Sequence, residues 1–253
     1  MAEKIKGIII EDSTLIKIKK YMAFNRSSGG FQTPTPAVLN LIIINVIAFV
    51  AQITFGGLSG ESKVTDLFAL HHYKSDEFGI QQIITHMFMH GSFMHLFFNM
   101  FALYTFGAMI ERMWGPKKFL IFYFICGIGA AVVQLASYAY SYRMLDTMVM
   151  NYEQVIQYQE ILRMNATVGA SGAIMGVVAA FGYLFQNTEM MIIPIPIPIK
   201  AKWAVLGIIA IDVFSGIAGR PGDNVAHFAH IGGALTGFLI VYFESRNNTN
   251  NSY

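Results

Sequence analysis

Six long apolar runs dominate this chain, and together they are too apolar for an ordinary soluble domain. They are Ala37–Phe55, Phe93–Met113, Phe119–Tyr140, Val168–Phe185, Trp203–Ala218 and Val225–Phe243. Crossing a hydrocarbon core about 30 Å thick takes roughly 20 helical residues. Each run is therefore read as a membrane-spanning helix, the fourth and fifth slightly short and helped by bilayer thinning or snorkelling at their ends. Composition agrees: 55% of the 253 residues are hydrophobic and 13% are charged, against about 25% charged in a typical soluble domain. The fold expected is all-α, a polytopic bundle of six transmembrane helices.

The runs divide the chain into a basic N-terminal segment (residues 1–36), a membrane domain (37–243) and a short polar tail (244–253). The first segment carries Lys4, Lys6, Lys17, Lys19, Lys20 and Arg26 and no isolated apolar run with a cleavage site. The first span is thus expected to act as its own insertion signal. Cytoplasmic loops collect Lys and Arg. With the N-terminus inside, the outer loops hold only Lys63, Lys74, Arg143, Arg163 and Arg220 of the 17 basic residues. Both termini are accordingly expected in the cytoplasm, in a protein of the plasma (bacterial inner) membrane. A net charge of +2 is too small to imply a nucleic-acid partner. The single cysteine, Cys126, lies in an apolar run and is read as a small buried side chain. The first three spans show no repeat in the last three, which argues against an inverted-repeat transporter.

The connections differ in character. Gly56–Phe93 is a long, semi-apolar first outer loop that is expected to lie partly in the outer leaflet. Ser141–Thr167 is polar and expected to be helical in part. The inner link "IIPIPIPIK" spaces Pro194, Pro196 and Pro198 two apart, which favours a stiff, extended connector.

A set of polar residues in or just ahead of three of the runs gathers at one end. In "VGASGAIMG" the only polar side chain is Ser171, expected about one turn into the fourth span. "NVAHFAHIGGALTG" opens the sixth span with His227 and His230. "THMFMHGSFMHLFFNM" leads into the second with His86, His90, His95 and Asn99. All three spans enter from the outer side, so these groups fall at a similar shallow depth. Polar residues within a membrane are costly and tend to mark function. A serine beside a neutral histidine forms a nucleophile with its base. His95 and Asn99, four apart, share a helix face and can direct an imidazole N–H and an amide N–H at one developing oxyanion, with the Ser171 backbone N–H as a third donor. Gly172 with Gly176, and Gly233 with Gly237, are small-xxx-small pairs that let two helices approach closely.

Simpler readings stand beside these. Ser171 and its glycines could serve helix packing alone. His86 and His90, also four apart, would suit a metal on one helix face, but they lack the Glu of H-E-x-x-H, and Gly91–Ser92 breaks the helix. No metal is expected there, and the two are read as wetting or loop-anchoring residues. His71 and His72 are read as loop residues without a role. Glu111 and Arg112 are expected to pair with each other. Asp212, alone in the fifth span, is read as a local hydrogen-bonding residue near the outer end; a third acid orienting His230 is the alternative.

Taken in order, "HMFMHGSFMHLFFNM", "GAMIERMWGPKKFL", "GASG" and "AHIGGALTG" resemble the rhomboid family of intramembrane serine proteases. The resemblance covers all six spans, roughly residues 37–243. It implies hydrolysis of transmembrane protein substrates within the lipid bilayer by a Ser–His dyad, with no third acid, cofactor, metal or nucleotide. Residue by residue it implies Ser171 as nucleophile, His230 as base, and His95 with Asn99 at the oxyanion. His86 and His90 would border the water-filled cavity, and Gly169, Gly172, Gly233 and Gly237 would support the site. Many members carry an aromatic residue four after the serine; here it is Met175. The first outer loop has no Trp-Arg pair, and His227 is an additional histidine. A proteolytically silent membrane chaperone or scaffold is the alternative within the family, and a small-solute channel the alternative outside it. A channel would carry polar groups through the full bilayer depth, whereas these cluster at one end.

Overall fold

The computed structural model describes residues 34–56, 63–145, 151–157, 166–192, 195–218 and 226–250. Nearly all of the basic N-terminal segment lies outside these residues, as do 251–253. Among the described residues, five helical stretches are long and apolar enough to cross a membrane. The first is α1, Pro36–Gly56. The second combines α4 (Phe93–Ala102) and α5 (Ala108–Trp114) through a π turn at Leu103–Gly107. The others are α6, Pro116–Leu145; α8, Ala201–Ala218; and α9, His227–Asn250. The polar tail thus continues as helix as far as Asn250.

The fourth apolar run departs from expectation. Its helix, α7, spans only Ser171–Leu184, about 21 Å at 1.5 Å per residue. The chain before it cannot join the helix because Gly169 sits at φ +124°, a backbone conformation that disfavours any residue with a Cβ. Ser171 is consequently the first residue of α7, not a residue one turn inside it. The short length is tolerated because α7 is wrapped by protein. Every residue from Gly172 to Gly182 is buried, between α6 and α9, with α8 and the π turn alongside. A helix with no lipid-facing stripe need not match the bilayer thickness.

The outer helices show the opposite pattern. Ile47 and Val50 on α1, Phe98 on α4, and Ile211, Phe214 and Ile217 on α8 all stand exposed. These are the faces that lipid covers.

Two contacts fix the periphery. Glu111, expected to pair with Arg112, has a further role: its carboxylate accepts from the Thr35 hydroxyl and from the backbone N–H groups of Ala37 (2.9 Å) and Val38 (2.8 Å). It caps the N-terminus of α1, whose first amides have no intrahelical acceptor. The proline link is extended, and it is also paired. Strands β3 (Glu189–Ile192) and β4 (Ile195–Lys200) form an antiparallel hairpin with a register shift between Met190 and Ile192. Pro194 lies outside the described residues; Pro196 and Pro198, two apart, direct their missing N–H to one edge, and Ile195 and Ile199 pair with Ile192 and Met190.

The described part of the loop between α1 and α4 is ordered by side chains. It contains α2 (Lys63–Phe68), β1 (Leu70–His71), α3 (Gln82–Thr85) and a 3₁₀ turn at His86–Phe88. His71 and His72 are not idle. Both are buried; the His71 ring bonds the Asp66 carbonyl at 2.9 Å, and the His72 ring packs among Tyr73, Tyr138 and Tyr142. Strand β1 pairs with β2 (Ala166–Thr167), Leu70 opposite Thr167. That pairing ties the loop to the segment leading into Ser171. In Ser141–Thr167, α6 continues to Leu145 and residues 152–157 are helical.

Candidate active site

Glycine lets the three central helices touch at the backbone. A Cβ on Gly233 would overlap the carbonyl oxygen of Gly172, and one on Gly237 would meet the carbonyl oxygen and Cα of Gly176. On the other side of α7, a Cβ on Gly172 would lie 2.5 Å from Ala130 Cβ, and one on Gly176 would lie 2.5 Å from Cys126 Sγ. Cys126 is therefore one of the small residues that α7 packs against, and it is fully buried. The approach brings the N-terminal ends of α7 and α9 together.

At that junction Ser171 Oγ and His230 Nε2 lie 2.7 Å apart. The start of α9 is held by α6, where the Gln134 side chain accepts from the Ala229 N–H at 3.1 Å. The start of α7 is held by the loop between α1 and α4, where the His86 carbonyl accepts from the Gly169 N–H at 2.9 Å. Gly169 has no room for a side chain. A Cβ there would sit 2.8 Å from His95 Cε1, 2.9 Å from His95 Nε2 and 3.5 Å from Ser171 Oγ. His95 thus faces the serine across the glycine. Asn99, one turn further along α4, is buried, and its Nδ2 has no hydrogen-bond partner among the described residues. Ser171 opens its helix, so its backbone N–H is among those left without an intrahelical acceptor.

His86 and His90 occupy the wall behind this group. Both are buried. Burial pushes the His86 imidazole down to about 4, and its bond to the Gln82 carbonyl (2.8 Å, Nδ1) only partly offsets this. Burial, helped by the nearby His95, pushes His90 down to about 4 as well. Both rings are neutral at physiological pH. The backbone of His90 is clamped by Gln52 of α1, which accepts from its N–H at 2.9 Å and donates to its carbonyl at 3.4 Å. The His90 ring stands edge-on to His95, centroids 5.2 Å apart. Sequence reasoning missed Gln52, although a glutamine within the first apolar run is itself a signal.

It also understated Asp212. This carboxylate is buried, and it receives two imidazoles: His230 through Nδ1 at 2.8 Å on one oxygen and His227 through Nδ1 on the other. Asp212, His227 and His230 each bring one ligand atom to within 4.8 Å of the others. Among the described residues, this cluster is where a divalent ion could be held, although the nitrogens facing Asp212 are already bonded to it. Met175 packs with Ala179, Ala234 and Ile209.

Comparison with known proteins gives the same affiliation. Residues 77–247 match the Rhomboid domain. The chain is 31% identical over 207 residues to rhomboid protease AarA of Providencia stuartii, covering 80% of this chain and 70% of that protein. It is 29% identical over 167 residues to the mitochondrial Rhomboid protein 1 of Saccharomyces cerevisiae, covering 65% of this chain and 42% of the relative. With rhomboid protease GluP of Bacillus subtilis it shares 29% identity over 158 residues, covering 62% and 25%. The chain thus spans less than half the length of the latter two relatives. A polytopic helical bundle, a serine brought against a histidine by glycine-lined helices, and a domain match over most of the chain converge on one statement: this integral membrane protein belongs to the rhomboid family.

Proposed function

We propose that this protein is an intramembrane serine endopeptidase that cleaves transmembrane segments of other membrane proteins. The observation that carries the reading is the 2.7 Å approach of Ser171 Oγ to His230 Nε2. In the reaction, His230 Nε2 takes the hydroxyl proton as Ser171 Oγ attacks the scissile carbonyl. The Ser171 backbone N–H, His95 and Asn99 donate to the oxyanion that forms. The protonated His230 then gives its proton to the leaving amine, and water hydrolyses the acyl-enzyme by the same steps in reverse roles. Gly169, Gly172, Gly233 and Gly237 support the site by allowing the close approach. No step calls on a metal, cofactor or nucleotide.

The charge bias supports a topology with both termini in the cytoplasm and the serine toward the outer side, and on this reading the protein sits in a plasma (bacterial inner) membrane. Cleavage is then expected in the outer-leaflet part of a substrate span, near Gly or Pro, because a helical peptide bond must be unwound before a serine can reach it.

Labelling in membranes with a fluorophosphonate probe tests the reading. Wild-type protein should label and Ser171→Ala should not. Equal labelling of both, or none in either with no cleavage of any membrane substrate, would leave the silent-scaffold reading.

A further inference from the structure

We propose that Asp212 is a positioning residue for His230, and that His227 holds Asp212 in place, so that the serine–histidine pair of this chain is oriented by a buried carboxylate. The inference rests on the protease reading above and departs from a two-residue dyad.

Asp212 is the single acidic residue of α8. That helix turns its large apolar residues outward: Ile211 is 69% exposed, Phe214 67% and Ile217 78%. Asp212 alone points a charged group inward, at 9% exposure. A carboxylate inside a membrane helix is costly unless its oxygens are satisfied. Here each oxygen accepts from one imidazole Nδ1. A carboxylate only accepts, so the bond at 2.8 Å requires the His230 proton to sit on Nδ1. Nε2 then presents its lone pair, and Nε2 is the atom that faces Ser171 Oγ. Asp212 thereby selects the one neutral tautomer of His230 that can accept the serine proton, and its charge opposes the imidazolium that results.

A second observation supports the role of His227. Gly216, one turn beyond Asp212, is filled by the start of α9: a Cβ there would come within 2.9 Å of His227 Cβ. The missing side chain lets His227 lie against α8 and bond the outer carboxylate oxygen. With one oxygen held, the carboxylate cannot rotate freely, and the other stays directed at His230.

The test compares Asp212→Ala and the isosteric Asp212→Asn with wild type and Ser171→Ala, using the full-length protein in detergent or vesicles. Four quantities are read: kcat and KM on a transmembrane substrate, the rate of fluorophosphonate labelling, and the thermal midpoint. Wild-type protein that neither cleaves nor labels defeats the protease reading itself, before the aspartate is in question. Given an active wild type, kcat and the labelling rate should each fall by on the order of 10²-fold, with KM and thermal midpoint unchanged. Rates within about twofold of wild type in both variants would overturn the proposal, being smaller than any positioning effect of this kind. Slower cleavage with normal labelling would mean that Asp212 acts on substrate entry and would also overturn it. So would a rate loss matched in both variants by a lower thermal midpoint, which would make the residue structural.

Discussion

Two histidine pairs in this protein look alike in sequence and differ in what their nitrogens face. His86 and His90 are four apart and His227 and His230 three apart, and each pair lies at or just ahead of the start of a long helix. Both rings of the first pair are buried and neutral: His86 bonds a backbone carbonyl, and His90 stands edge-on to His95 with no hydrogen-bond partner for its ring nitrogens among the described residues. The second shares a carboxylate, and one of its members touches a serine. Spacing does not separate a base from a packing residue; the group opposite each ring nitrogen does.

The sharpest way to break the contrast is to exchange the members of the second pair. His230→Ala should reduce cleavage to background, because among the described residues His230 is the hydrogen-bond partner of Ser171 Oγ, while the protein still inserts and accumulates. His227→Ala should retain substantial activity, losing about tenfold or less, since it acts only through Asp212. Turnover assays giving the reverse order would move the base to His227.

The next effect reaches the second pair without altering a histidine. Gly233→Leu and Gly172→Leu drive side chains into a facing backbone or helix and should separate α7 from α9. A shift of about 1 Å at a reacting pair costs on the order of 10² in rate, and the thermal midpoint should fall with it. Leu239→Ala, at an exposed position on α9, should do much less. Full activity in both glycine variants would remove the geometric basis of the site.

Acid sharpens the first pair. The folded-state values of His86 and His90 lie near 4, below the usual 6.5 or so of a free imidazole. Between those limits the unfolded chain binds protons that the folded chain does not, so stability is full above pH 6.5 and falls as pH drops toward 4. Each histidine contributes up to about 3 kcal/mol to that loss. Thermal midpoints measured from pH 7 to pH 4 should show the decline, and His86→Gln should flatten it. A decline unchanged in that variant would assign the acid sensitivity elsewhere.

The last effect concerns turnover rather than stability. His95→Ala should lower kcat by at most about 10²–10³ without weakening substrate association, as loss of one oxyanion donor does. Lost binding with an intact single-turnover rate would take His95 out of that role.

Sequence made the bundle legible because lipid imposes one requirement on every outward residue, and long apolar runs answer it directly. It misjudged α7 for the same reason. Hydrophobicity cannot tell a helix facing lipid from one facing other helices, and the break at Gly169 is a backbone conformation that shows in sequence only as one more glycine. Ser171 and His230 stood out because a hydroxyl and an imidazole are rare in such surroundings. Asp212 was equally rare, but its partners lie 15 and 18 residues away across a helix junction, and a lone charge does not announce what it faces. Glu111 was read only against its neighbour Arg112; the N–H groups it also accepts from lie on another helix.

That cap bears on how the protein is made. The donors at Thr35, Ala37 and Val38 leave the ribosome 73 to 76 residues ahead of the carboxylate that accepts them. In a chain inserted in order of synthesis, the first helix enters the membrane with its leading end unfinished, and the arrival of the second completes it. The two form a single unit of biogenesis, closed at the end of the bundle remote from Ser171.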